Sequence, residues 1–451
     1  MNNKKKFNEL REKYPEFIYE GYDMENMDGK FHVTYHFSIP GLQTFSPTWE
    51  FPCEANENMD AVELLVFSLG MVELISYWKL VCSKKIIVSC GTLTKAQKNW
   101  WKELYFNGLG EFFYVNEIDH LKVKDYVKIE AKDQPIEKIF IKDEFSGFLV
   151  PIGGGKDSIV SLELLKEMEE SVSTFSINRI EATKKVIEMF DEKTQDILVK
   201  RNMDPGLLVL NEEGYLNGHT PFSAIVAFAS SLTALLFKIQ YIALSNETSA
   251  NESTVINTSI NHQYSKSFSF ERDFRWYFSE LINAPLAYFS LLRPISELQI
   301  AKLFAKHEKY HSIFRSCNVG SKEGVWCCNC SKCLFVYIIL TPFLNEDVLV
   351  DIFGENLLMK ESLDTYFKEL TGINENKPFE CVGTRREVLA VTKNLIIMNE
   401  NAGKEQPYLL NKYKEYILEN GVDIEPLYSE WVEENEVIPK FCKGIKRSLE
   451  L

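Results

Sequence analysis

The 451-residue chain is short of positive charge. Its 50 Lys and Arg face 65 Asp and Glu, for a formal net charge of -15. That argues against a general grip on nucleic acid, which relies on clustered cations. A membrane-spanning run is missing too. Phe222 to Phe237 carries no charge, but the stretch is shorter than the roughly 20 residues a bilayer needs. It holds Ser223, Ser230, Ser231 and Thr233, and Pro221 before it suits a first helical turn. A buried helix packed on a sheet is expected there. No apolar h-region follows the basic opening Met1–Lys6, so no signal peptide is expected and the protein is placed in the cytoplasm. There is no internal repeat and no low-complexity linker. In such a chain the ten cysteines argue against disulfides.

What is present, a hydrophobic content of 45%, fits a globular protein of two or three domains. We read residues 1–140 as an α+β domain, 145–345 as a parallel-sheet α/β domain and 346–451 as a mostly helical extension. In the first, Glu16–Tyr22, Lys30–Ser38 and Lys85–Cys90 read as strands and 61–80 as an apolar helix. Thr94 and Gln97 form a capping box for another helix. From Phe148 strand and helix alternate: Phe148–Ile152, Val172–Asn178, Leu207–Leu210 and Ile239–Ser245 as strands, with a helix from near Ala182. Such order predicts a parallel sheet with its ligand at the carboxyl ends of the strands.

The most informative residues are Gly153, Gly154, Gly155, Lys156, Asp157 and Ser158. A strand precedes them and helical periodicity follows. Glycines let backbone N–H groups approach an oxyanion, and a helix N-terminus adds unpaired N–H groups and partial positive charge. Asp157 after Lys156 rules out a P-loop NTPase, which needs Ser or Thr there. Ser158 rules out G-x-G-x-x-G. The run resembles the S-G-G-x-D-S signature of the PP-loop ATP pyrophosphatases, with Gly153 replacing the first Ser. That resemblance implies an adenine nucleotide alpha hydrolase-like fold and cleavage of ATP between the α and β phosphates. Asn178, Ser245, Asn246 and Glu247 would meet the turn at the strand ends. Asp157 and Glu247 are the carboxylates expected to hold Mg²⁺.

Cys327, Cys330 and Cys333 form C-x2-C-x2-C, with Cys317 ten residues upstream. Four thiolates suit a closed, structural Zn²⁺ site. An iron–sulfur cluster and plain buried thiols are the other two readings. Cys328 is the spare. The spacing resembles the zinc site of the 7-cyano-7-deazaguanine synthases, themselves PP-loop enzymes.

Further polar runs occur in order: Gly108–Phe112, Asn217–Pro221, Leu244–Ala250, Asn261–Ser267, Leu292–Glu297, Ser316–Asn318 and Lys377–Gly383. Together with the glycine turn they resemble the UDP-N-acetylmuramoyl-L-alanyl-L-glutamate epimerases of peptidoglycan synthesis, from about residue 16 to 390. This resemblance implies an ATP- and Mg²⁺-dependent conversion of the dipeptide's terminal L-glutamate to D-glutamate, with a UDP-muramoyl dipeptide as the small-molecule partner. Adenylation would remove the carboxylate charge that opposes an adjacent carbanion, directly or through an oxazolone. No pyridoxal phosphate is needed. Candidate proton carriers are His219, His262, Cys381 and Glu380. Lys266, in a run too polar for a core strand, reads as part of a phosphate or carboxylate clamp, or else of a plain surface loop. His219 could instead cap or pack, and Glu297 reads as a helix-start acid. Two rival functions are a PP-loop ligase of the deazaguanine synthase kind and a non-enzymatic nucleotide-binding module.

Overall fold

The computed structural model describes residues 3–119, 127–134, 137–255, 258, 260–320 and 323–451. Its fold is α/β, in two compact units: 1–149, 197–242 and 259–288 form the first, and 150–196, 243–258 and 289–451 the second.

In the first unit the strands Glu16–Met27 and Lys30–Ile39 pair as an antiparallel hairpin. Asp28 and Gly29 between them both have positive φ, the conformation a two-residue hairpin turn requires. Thr48–Phe51 joins Lys30–Ile39 antiparallel, while Lys85–Thr92 runs parallel to Glu16–Met27 and Lys128–Lys132 parallel to Lys85–Thr92. Inward residues of the hairpin alternate with outward ones, the period-2 pattern of a sheet with one covered face. The cover is the apolar helix Met59–Glu73. Tyr35 and Tyr19 donate their hydroxyls to the carbonyls of Val66 and Phe67 on it, at 2.9 and 3.4 Å. Helix Phe222–Leu236 packs against the same helix and is buried as expected. No helix of the described residues is long and apolar enough to cross a membrane. The Thr94–Gln97 capping box is present at the start of helix Lys95–Gly108.

One expected strand is a helix. Leu207–Leu210 lies in helix Gly206–Glu212, and the strand runs earlier, from Gln195 to Asn202. Leu207 and Leu210 are buried while Leu208 and Val209 are exposed. Burial at i and i+3 is helical, and Pro205 has the φ that starts a helix. A four-residue apolar run cannot show that difference by composition.

The site-bearing strands are ordered Ala287–Ser290, Tyr241–Leu244, Phe148–Pro151, Val172–Ile177. Tyr241–Leu244 and Phe148–Pro151 are parallel. Val172–Ile177 follows Phe148–Pro151 on one side and Tyr241–Leu244 lies on the other. The strand order therefore reverses at Phe148–Pro151, the switch point where open α/β sheets bind ligands. Beyond it the chain is helical, from Glu297–Ala305 and Ser331–Leu340 through Arg385–Asn401 to Pro439–Leu449.

Candidate active site

The glycine turn leaves the switch-point strand directly. The Ile152 amide bonds the Phe175 carbonyl at 2.8 Å. Gly154 has φ +85, and a Cβ there would stand 2.9 Å from the Thr183 amide nitrogen. A Cβ on Gly155 would stand 2.8 Å from Ser316 Oγ. Gly154 therefore has to be glycine, whereas the neighbour of Gly155 is a hydroxyl that can rotate away. Gly155 is the N-cap of helix Lys156–Glu167 and no side chain caps it. The helix thus begins with N–H groups available to an anion.

Lys156 is buried, and its ammonium donates to the carboxylates of Asp157 and Glu297. Burial disfavours its charge, but the two carboxylates outweigh that and raise its pKa. Burial pushes Glu297 up to about 8, and Asp157 and Glu247 add to the shift. Asp157 and Glu247 are of the right type to hold Mg²⁺.

Glu297 opens its helix as expected of a helix-start acid, but it does not cap it. Ser296 is the N-cap and completes a capping box with Gln299, which frees Glu297 to turn inward onto Lys156. Ser161 Oγ meets Ser245 Oγ at 2.8 Å, tying the helix to the end of its neighbouring strand. Asn246 Nδ2 donates to Ser290 Oγ at 3.1 Å. Glu247 accepts from Ser249 through its carboxylate and from Arg293 through its carbonyl, at 3.0 and 2.7 Å. Asn178 closes its strand with φ 47, a left-handed conformation that Asn tolerates. Ser158 Oγ donates to the Gly155 carbonyl at 3.1 Å.

The four cysteines converge. All sulfurs of Cys317, Cys327, Cys330 and Cys333 lie within 4.8 Å of one another. The separations are 3.9 Å for Cys317–Cys330, 3.7 Å for Cys327–Cys333 and 3.5 Å for Cys330–Cys333. Zn–S bonds of about 2.3 Å in a tetrahedron set sulfurs about 3.8 Å apart, so the set could hold zinc. Amides of Gly320 and Cys333 point at Cys317 and Cys330. Cys328 stands outside the set, its thiol on the Phe353 carbonyl at 3.0 Å. The segment leading into the cluster touches the glycine turn, because the Arg315 amide donates to the Gly154 carbonyl at 2.9 Å. Glu380 accepts from Asn318 at 2.5 Å, and the Cys381 carbonyl accepts from Lys332. Both residues therefore sit beside the cysteine segment.

His219, His262 and Lys266 belong to the first unit. His219 Nδ1 lies 3.2 Å from Glu111 Oε2, and His262 Nδ1 contacts the same oxygen. The imidazole centroids are 4.8 Å apart. Burial, then His262, lowers the His219 pKa to about 4, and Lys79 and Lys266 push the same way. The second unit thus gathers Gly153–Ser158, Asn178, Ser245–Glu247, the cysteines, Glu380 and Cys381. Glu111, Lys79 and Glu297 were not singled out as site residues from the sequence. Glu111 lies inside the Gly108–Phe112 run, but nothing in its spacing ties it to histidines so far along the chain.

The fold is that of an α/β protein whose glycine turn opens an uncapped helix at a switch point, an arrangement that could receive an anion. A family model described as the MurL N-terminal domain matches residues 8–291, and one described as the MurL C-terminal domain matches 310–420. The UDP-N-acetyl-alpha-D-muramoyl-L-alanyl-L-glutamate epimerase of a Micromonospora species is 33% identical over 396 residues, covering 84% of this chain and 86% of the relative. The protein of that name from Xanthomonas oryzae pv. oryzae is 34% identical over 344 residues, 73% of this chain and 74% of its own. A third, from Salinispora tropica, is 30% identical over 410 residues, 88% and 87% of the two chains. The chain belongs to this MurL epimerase family.

Proposed function

We propose that the chain converts the terminal L-glutamate of UDP-N-acetylmuramoyl-L-alanyl-L-glutamate to D-glutamate, using ATP and Mg²⁺, as a cytoplasmic step of peptidoglycan precursor synthesis. The likeness over most of both chains to proteins bearing that name carries this reading. The uncapped helix behind the glycine turn supports the nucleotide part of it.

The amides of Gly153–Gly155 and the start of helix Lys156–Glu167 would receive phosphate oxygens, with Lys156 neutralising charge beside them. Asp157 and Glu247 would hold Mg²⁺, and Cys317, Cys327, Cys330 and Cys333 a structural Zn²⁺. Ser158, Asn178, Ser245 and Asn246 would surround the nucleotide, and Lys266 would clamp a substrate anion. Bound ATP would supply an adenylyl group that cancels the glutamate carboxylate charge and so acidifies the α-proton. His219 and His262 are the proton carriers we favour, because His219 is held neutral at physiological pH and so can act as a base. Glu380 and Cys381 are the alternatives.

Incubation with ATP, Mg²⁺ and the UDP-muramoyl dipeptide should release AMP and pyrophosphate. Stoichiometric ADP would contradict this use of the glycine turn. Asp157→Asn should abolish pyrophosphate release while the protein keeps its circular dichroism spectrum.

A further inference from the structure

In the first unit one carboxylate oxygen serves two histidines. Glu111 Oε2 contacts Nδ1 of His219 at 3.2 Å and Nδ1 of His262. An ionised carboxylate only accepts hydrogen bonds, so each imidazole must present its Nδ1–H to Glu111. That fixes both tautomers and makes Nε2 the reactive atom of each ring. The two rings converge on one oxygen through Nδ1, with centroids 4.8 Å apart and planes inclined at 53°.

The arrangement is built rather than incidental. Buried Lys79 donates to the Gly218 carbonyl and to Thr220 Oγ1, at 2.6 Å for the latter, and so grips the chain on both sides of His219. Asn116 Nδ2 donates to the Asn217 carbonyl at 3.0 Å. Gly218 has φ +150, and a Cβ on it would stand 3.2 Å from the Phe112 ring. A Cβ on Gly108 would stand 2.9 Å from Pro221. The loop carrying His219 is thereby locked to the segment carrying Glu111. All three side chains keep contact with solvent, at 15–20% exposure. The charged and titratable groups facing His219 are His262, Glu111, Lys79 and Lys266.

We propose that Glu111 is a positioning residue that holds His219 and His262 as a linked proton-transfer pair for the α-carbon. The proposal rests on the epimerase reading above. Neutral His219 takes the α-proton on its Nε2 lone pair, and the C–H electron pair stays on the substrate as the enolate. The imidazolium form of His262 returns a proton from its Nε2, and the enolate electron pair forms the new C–H bond. Glu111 remains a carboxylate throughout. The step ends with His219 protonated and His262 neutral, and exchange with water restores the starting state.

The test pairs a spectroscopic readout with a kinetic one. In ¹⁵N spectra of the full chain, His219 should show the neutral Nδ1–H tautomer and His262 should be protonated at Nδ1 as well, and Glu111→Gln should redistribute the Nδ1 protons. An Nε2–H tautomer in the unaltered protein would overturn the proposal. So would His219 resonances that move on adding Zn²⁺ or Mn²⁺, since the cluster would then be a metal centre. In D₂O, Glu111→Gln should keep substrate-dependent pyrophosphate release while α-hydrogen exchange falls about tenfold or more. The acid limb of exchange should shift to lower pH, because Glu111 raises the His219 pKa. Glu111→Asp should recover part of the exchange. Unchanged exchange in Glu111→Gln, or equal loss of exchange and pyrophosphate release, would overturn the proposal. Absence of pyrophosphate release from the unaltered protein would sink the adenylation reading instead, and the tautomer result would stand apart from it.

Discussion

His219 is held by burial at a pKa of about 4, well below the ordinary histidine value near 6.5. Between those two values an unfolded chain binds a proton that the folded protein refuses. Stability contributed by the neutral ring is therefore present above pH 6.5 and is lost as pH falls toward 4, by up to about 3 kcal/mol. Urea denaturation at pH 7 and pH 5 should show the loss, and His219→Gln should reduce it. Gly154 makes a second residue-level prediction. Its φ of +85 and the Thr183 amide at 2.9 Å leave no place for a methyl group, so Gly154→Ala should cost about 1–3 kcal/mol and abolish adenylation. Thermal melting and pyrophosphate release check both parts. The placement of Lys156 and Asp157 at a helix start after a strand and a glycine turn was legible in the sequence, because the glycines and the flanking apolar runs are local signals. Glu297 was not, because an acid in a first helical turn already has an ordinary explanation. Glu111 was hidden by distance, since His262 lies 151 positions away.

At the scale of elements, the clearest signals were those set by local periodicity and turn chemistry. The Thr94 capping box and the uncharged Phe222–Leu236 helix lie where composition put them. The Leu207–Leu210 run failed because four apolar residues carry no period. The cysteine segment was read as a candidate metal knot, but its second connection was not visible: Arg315 and Ser316, just before Cys317, pack on Gly154 and Gly155. The knot therefore bears on the glycine turn. Elemental analysis of protein purified without chelators should find one zinc per chain. Cys330→Ser should lose it and lower both melting temperature and nucleotide affinity, because metal binding at such a site is also folding free energy. Iron with a brown colour, or no metal at all, would contradict the zinc assignment.

At the scale of the whole molecule, each unit carries its own set of candidate residues. The second carries the glycine turn proposed for the nucleotide, the carboxylates beside it and the cysteine knot. The first carries the histidine pair proposed for the α-carbon. A ligase of the deazaguanine synthase kind would need the former and have no evident use for the latter, and family models match 8–291 as well as 310–420. The central claim is that nucleotide-dependent activation leads to inversion of a glutamate residue. Chiral analysis of glutamate after acid hydrolysis of the reacted UDP-muramoyl dipeptide tests it most directly. D-glutamate should appear only when ATP and Mg²⁺ are both present, with AMP and pyrophosphate formed alongside. Pyrophosphate release with the glutamate still wholly L, or D-glutamate formed without ATP, would contradict the account.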